Sequence, residues 1–252
     1  MKIKKILVTQ QQTEAEKWPY NELATKNNVK IDFRPFINIE AIASKEFRQS
    51  KVDILEHGAV VFTSKTAIDH YFRICEELRL SVPDSMKYFC ITETIAFYLQ
   101  KYIIYRKRKI FYGKCAITDL EDALMKHKDE KYLIPLSNTH KDDVPKALDK
   151  MKINYTKAIL YKTVSSNLTD LGEINYDILV FYSPSGIKSL LENFPKFKQK
   201  DIKIASFGTS TAKAIKEAGL RIDIQVPAPE TPSMTMALEM FIKNHNKCNG
   251  KK

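Results

Sequence analysis

Three features of this 252-residue sequence predict an α/β fold built on parallel sheets. Short apolar segments alternate with helical segments of about ten residues, the pattern of βαβ units. Several of the apolar segments end in hydroxyl residues or glycine, and a helix follows at once. The pattern also occurs twice. Residues 59–72 (AVVFTSKTAIDHYF) align with 178–191 (ILVFYSPSGIKSLL), matching Phe62 to Phe181, Ser64 to Ser183 and Ile68 to Ile187 at one offset. The next unit repeats as well, 88–101 (YFCITETIAFYLQK) resembling 204–217 (IASFGTSTAKAIKE). Such an internal duplication in a chain of this length points to two domains, each a Rossmann-like or flavodoxin-like layer of parallel strands and helices.

Residues 5–9 (KILVT) read as a first strand, apolar without a break and so buried on both faces of a sheet. A helix over 14–26 follows, its regularity limited by Pro19. Residues 29–42 are extended and interrupted by Pro35, which cannot donate to a strand ladder. The chain leaves its first domain at 33–38. From there helices at 46–55, 66–78, 93–102, 119–127 and 144–151 precede, in turn, strands at 59–63, 87–91, 109–112, 131–136 and 156–163. Asp119, in the first turn of its helix, offsets the positive helix end. Residues 164–175 are polar, contain Gly172 and read as a linker. Strands at 177–182, 203–207 and 221–226 follow, and a last helix spans 232–246. The tail from Lys247 (KCNGKK) is expected to lack regular structure.

The first strand is cut off from its partners by the block between. Pairing it with the C-terminal strands gives a discontinuous domain, 1–36 plus 166–252, and an inserted domain, 39–160. Extended connectors near Phe36 and Tyr161 would run side by side. A cleft between two α/β domains is a default binding site, and the carboxyl ends of parallel strands face such a crevice.

The 41 Lys and Arg against 30 Asp and Glu leave a net charge of +11. That excess suits a polyanion, a nucleic acid or an anionic membrane, and equally a lysine-rich solvated surface. The basic run Tyr105-Arg106-Lys107-Arg108-Lys109 lies beside a predicted strand, where lysines protect a sheet edge. No helix-turn-helix or zinc finger accompanies it, so no nucleic-acid partner is expected. Cys75, Cys90, Cys115 and Cys248 have no CxxC spacing. Cys75 and Cys90 sit among apolar residues as small buried hydrophobes, which suggests reduced thiols and a cytoplasmic location. The N-terminal apolar run is too short for a signal peptide or a membrane span.

The candidate chemistry lies at the strand-to-helix turns: Thr63 and Ser64, Thr92, Ser183 and Ser185, and Gly208-Thr209-Ser210-Thr211. Backbone N–H groups, hydroxyls and the positive helix end together accept an anion there. The same residues are good N-caps in any helix. No GxGxxG follows the first strand, which runs into Gln10-Gln11-Gln12. The histidines (His57, His70, His127, His140, His245) lack metal-ligand spacing, and His70 with Asp69 is expected to face solvent rather than form a relay. GxSxG is absent. Neither a metal nor a cofactor is expected.

The set VVFTSKTAI, VFYSPSGI, FGTSTAKAIKEAGL and PAPETPSMTMAL, in this order over residues 6–243, resembles the uroporphyrinogen-III synthase family. The resemblance implies two α/β domains joined by a two-stranded connector. It implies a lyase that cyclises hydroxymethylbilane, a linear tetrapyrrole with eight carboxylates, inverting ring D and losing water without a cofactor. The family's important tyrosine lies in a pattern like Val-Tyr-x-Thr, here Leu160-Tyr161-Lys162-Thr163, so Tyr161 is the implied catalytic residue. A phenol of ordinary pKa, about 10, keeps its proton at neutral pH and can donate it to a departing hydroxyl. The implied partner is this small molecule alone, with the protein a monomer. Three turns depart from the family pattern: Thr9-Gln10-Gln11 in place of Thr-Arg-Pro, Thr92-Glu93-Thr94-Ile95-Ala96 in place of Gly-x-x-Thr-Ala, and Ser137-Asn138 in place of Arg-Gly. A non-catalytic module that binds a tetrapyrrole or another polyanion is the alternative.

Overall fold

The structure, a computed structural model, describes residues 2–12 and 19–249, the last three in backbone only. The chain divides into two compact units, Met1–Asn38 with Val164–Lys252 and Ile39–Thr163. The first unit opens with β1 (Lys5–Val8), α1 (Pro19–Asn27) and β2 (Lys30–Phe33). Residues 14–18 of the expected first helix lie outside the described residues.

The second unit follows with β3 (Ile37–Ala41), α2 (Ser44–Gln49), β4 (Ala59–Phe62), α3 (Lys65–Glu77), β5 (Lys87–Cys90), α4 (Glu93–Tyr98), β6 (Ile110–Tyr112), α5 (Glu121–Lys126), β7 (Tyr132–Ser137), α6 (Asp143–Lys150) and β8 (Tyr155–Ser165). The chain then returns to the first unit with β9 (Ile178–Phe181), α7 (Pro184–Asn193), β10 (Lys203–Phe207), α8 (Thr209–Glu217), β11 (Ile224–Val226) and α9 (Met234–Asn249).

The first unit's sheet has the order β11-β10-β9-β1-β2, with every pair parallel. Counted along its own chain this is 2-1-3-4-5, the flavodoxin order. The second unit's sheet has the order β3-β8-β7-β4-β5-β6. Without the edge strand β3 this is 3-2-1-4-5, five strands of the Rossmann order 3-2-1-4-5-6. The duplicated segments β4-α3-β5-α4 and β9-α7-β10-α8 occupy matching places in the two sheets. The remaining strands also match in space, β7 with β1 and β8 with β2. In one unit that pair precedes the duplicated block in the chain, and in the other it follows. The units are therefore circular permutants in topology, which is why only the block shows as a repeat. The expected extended connectors are β3 and β8, neighbours in the second sheet.

Each sheet is sandwiched between two apolar layers. In the first unit Ile6, Val8, Val180 and Ala205 face α1 and α9, while Leu7, Leu179, Phe181 and Ile204 face α7 and α8. In the second, Val60, Phe62 and Leu133 pack on Ile68, Tyr71 and Ile74 of α3, and Val61, Phe89 and Ile134 pack on Leu120, Leu124 and Leu148. Cys75 and Cys90 are buried, and burial holds both thiols up at about 12.

Several boundaries differ from expectation. The helix expected over 46–55 is only α2, because Lys51 takes a left-handed conformation (φ 55°) and ends it. The helix over 93–102 closes at Tyr98 and continues as a 3₁₀ turn, Leu99–Lys101. Asp119 belongs to a 3₁₀ turn, Ile117–Leu120, ahead of α5. Its carboxylate accepts the N–H groups of Lys114, Cys115 and Ala116, so it stabilises the preceding loop. β8 takes up the first two residues of the expected linker. β11 starts three residues late, after Arg221 and Asp223 have paired. Residues 247–249 of the expected irregular tail continue α9.

Candidate active site

Each sheet has a switch point where its strand order reverses, between β1 and β9 in the first unit and between β4 and β7 in the second. Ligands of open parallel sheets bind outside the carboxyl ends of strands at such points. Thr63, Ser64, Ser183 and Ser185 follow β4 and β9, which border those points, whereas Thr92 and Gly208–Thr211 follow the neighbouring strands β5 and β10. Ser64 caps α3, accepting the Ala67 N–H at 3.0 Å, with half-exposed Thr63 beside it. Ser183, at the matching turn, caps α7 through the Gly186 N–H at 3.3 Å, and half-exposed Ser185 follows it. Thr92 caps α4 through the Ile95 N–H at 3.3 Å. Gly208 caps α8 with its N–H on the Val226 carbonyl and with φ 83° and ψ 155°, a region open in practice to glycine alone. Thr209 and Ser210 are exposed, whereas Thr211 is buried, with no hydrogen-bond partner for its hydroxyl among the described residues.

The helices beginning at these turns share an electrostatic feature. Acidic side chains in a first turn complement the positive end of a helix. α1, α2, α4, α5 and α6 each carry at least one there. α3, α7, α8 and α9, which follow β4, β9, β10 and β11, carry none. No acidic side chain in their first turns complements the positive end. Thr92 is the exception among the turns, since its helix is six residues long and opens with Glu93.

Tyr161 is 8% exposed and sits on β8. The β7–β8 register runs Leu136 to Ile159 and then Ser137 to Tyr161, so one extra residue is accommodated on β8. Side chains along a strand alternate between faces, and Ala158 and Leu160 point into the layer packed on α3. Simple alternation would send Tyr161 to the other face. The bulge returns it to the α3 layer beside Leu160, the kind of re-aiming that bulges perform. Asn138 fixes the irregular segment: its N–H donates to the Tyr161 carbonyl at 3.1 Å, and its Oδ1 accepts the Thr163 N–H at 2.9 Å.

The ring of Tyr161 stacks on His70 of α3, centroids 4.9 Å apart at 17°. This corrects the expectation that His70 faces solvent. The α3 stripe that buries Tyr71 and Ile74 turns His70 toward β8, where the bulge delivers a phenol. Arg73 donates to His70 Nδ1 at 3.3 Å and to the carbonyls of Ile42 and Leu160 at 2.9 and 3.3 Å, and pairs with Glu77. Burial, seconded by Arg73 and opposed by Asp69, lowers the His70 pKa. Asp69 instead accepts from Tyr98, Tyr102 and Lys101.

In the first unit the phenols of Tyr182, next to Ser183, and Tyr20 of α1 lie 2.5 Å apart. Sequence reasoning does not mark Tyr182, His70, Arg73 or Asn138 as site residues. The departure of Ser137-Asn138 from the family pattern is the one signal that points to any of them. A cavity of about 940 Å³ in the first unit opens at the opposite, amino ends of the strands beside Ile3, Asp177 and Lys203. Among the described residues no helix is long and apolar enough to cross a membrane, and no three His, Cys, Asp or Glu side chains gather as a metal site.

The family model described as uroporphyrinogen-III synthase HemD matches residues 19–236. No curated protein sequence matches. Among solved structures, uroporphyrinogen-III synthetase from Helicobacter pylori 26695 is 18% identical with a TM-score of 0.61, over 96% of this chain and 100% of its own. A mutant uroporphyrinogen III synthase from the extremely thermophilic bacterium Thermus thermophilus is 15% identical with a TM-score of 0.58, over 97% of this chain and 99% of its own. At these identities the two structures establish likeness of fold.

Proposed function

The chain belongs to the uroporphyrinogen-III synthase family, and we propose that Tyr161 and the acid-free helix starts are where it meets its substrate. The family reaction cyclises hydroxymethylbilane to uroporphyrinogen III, with inversion of ring D and loss of water, within porphyrin and heme biosynthesis. The observation that carries the assignment of residues is the charge pattern of the first turns. The starts of α3, α7, α8 and α9 are free of carboxylates, and a substrate bearing carboxylates on every ring is the anion they would receive. Ser64, Ser183, Ser185, Thr209 and Ser210 add hydroxyls and N–H groups at those ends. Thr63 borders the first of them, and Gly208 allows the backbone to approach closely. Thr211 supplies a buried hydroxyl. Thr92 is the weakest of the set, behind Glu93.

Tyr161 would act on the hydroxymethyl group. Its O–H donates a proton as the C–O bond breaks, water departs, and the pyrrole nitrogen supplies the electron pair that forms the azafulvenium cation beside the phenolate. The phenolate regains a proton when ring closure releases one. General acid catalysis of this kind contributes about 10²- to 10⁴-fold. Holding the reacting ends together supplies the rest and disfavours direct closure to isomer I.

The test is to give purified protein freshly generated hydroxymethylbilane without oxygen, oxidise the products and separate isomers I and III. Isomer III in excess, with KM raised by a carboxylate placed at a helix start, supports the assignment. Isomer III with an unchanged KM removes these turns from the substrate site.

A further inference from the structure

We infer that His70, itself held by Arg73, is a positioning residue for Tyr161 and sets the orientation of its phenol during the reaction. The inference rests on the role proposed for Tyr161. Three contacts fix that tyrosine, and each constrains a different part. Asn138 holds its carbonyl, the Leu136–Ser137 register shift chooses its face, and His70 lies flat against its ring. The ring contact is the one that governs the direction of the O–H. A phenol free to turn about its side-chain bonds loses alignment with a leaving group, and small displacements cost a reaction heavily.

The imidazole is anchored at its edge as well as stacked on its face. Nδ1 accepts from the Arg73 side chain, so in the neutral ring the proton resides on Nε2. Arg73 also donates to the Ile42 and Leu160 carbonyls. Leu160 is the residue accommodated by the bulge, directly before Tyr161. One guanidinium therefore sets both the backbone that aims Tyr161 and the ring that it stacks on. Asp69 and Arg73 are the charged groups beside the imidazole on its own helix. Asp69 is engaged by Tyr98, Tyr102 and Lys101, and Arg73 by Glu77.

The test combines substitutions at both positions in the full chain, with kcat and KM measured for isomer III formation. His70→Ala is expected to lower kcat about tenfold with KM within about twofold. His70→Phe, which keeps a flat ring, is expected to recover most of that loss. In a Tyr161→Phe background the same His70→Ala change is expected to cost less than about twofold, because coupled residues are non-additive. Should His70→Ala fail to fold, His70→Gln and His70→Phe carry the comparison. Equal losses in both backgrounds, or no recovery with Phe, would overturn the positioning role while leaving the tyrosine's role intact. A wild-type rate for Tyr161→Phe alone would overturn both.

Discussion

The His70 imidazole and the Tyr161 phenol lie nearly parallel, 17° apart, with centroids separated by 4.9 Å. They come from elements that simple strand alternation would have kept on opposite faces of a sheet. One extra residue in β8 brings them together, and Asn138 and Arg73 hold that irregularity in place. Stacked aromatic pairs contribute about 0.5–1.5 kcal/mol beyond their buried area. Against a thermal energy of about 0.6 kcal/mol, that favours one orientation of the phenol by about 2- to 13-fold.

The helix starts should separate capping from anion binding. Ser64→Ala and Ser183→Ala each remove an N-cap acceptor and are expected to cost about 0.5–2 kcal/mol, whereas glycine at either place costs a few tenths. Chemical denaturation measures this. Thr209→Glu adds a carboxylate at an exposed helix start, where it favours the helix. It should preserve the melting temperature and raise KM several-fold.

Gly208 should resist substitution through its backbone alone. A side chain there meets no atom within 4 Å, so crowding does not enter. The conformation at φ 83° and ψ 155° does, and Gly208→Ala is expected to cost about 1–3 kcal/mol. Equal stability of the two proteins in urea would mean that the turn relaxes freely.

His57 should make stability fall in mild acid. It is buried, its Nδ1 lies 2.7 Å from the Asp53 carbonyl, and its Nε2 has no partner among the described residues. Burial lowers its pKa, with Lys131 acting in the same direction and the Asp53 and Ile54 carbonyls and Glu56 against it. Below the unfolded value of about 6.5 the unfolded chain binds the proton more readily than the folded one. Stability is therefore lost as pH falls from there to the lowered folded value. The melting temperature of the wild type should drop more steeply between about pH 7 and 5 than that of His57→Asn, which keeps a donor toward Asp53. Parallel profiles would contradict this.

Much of the architecture was legible because buried parallel strands are apolar without interruption and the turns after them repeat. Ser64 and Ser183 fall at one offset and are equivalent caps in the fold. Helix ends were less legible: nothing in the run after Gln49 announces that Lys51 turns left-handed. The permuted relation of the units was hidden as well, since β7 and β8 share matching places but no visible sequence pattern with β1 and β2. At the site, Tyr161 came from its motif, whereas His70 did not. A register shift inside YTKAILYKTVS has no signature in the residues themselves, and without it His70 reads as a polar residue on a helix surface.

The most direct measurement is a single-turnover comparison of wild type and Tyr161→Phe with hydroxymethylbilane under anaerobic conditions, following isomers I and III separately. The account predicts that the phenylalanine variant keeps its fold, forms isomer III about 10²-fold more slowly, and lets spontaneous isomer I accumulate. An unchanged rate of isomer III formation would contradict it.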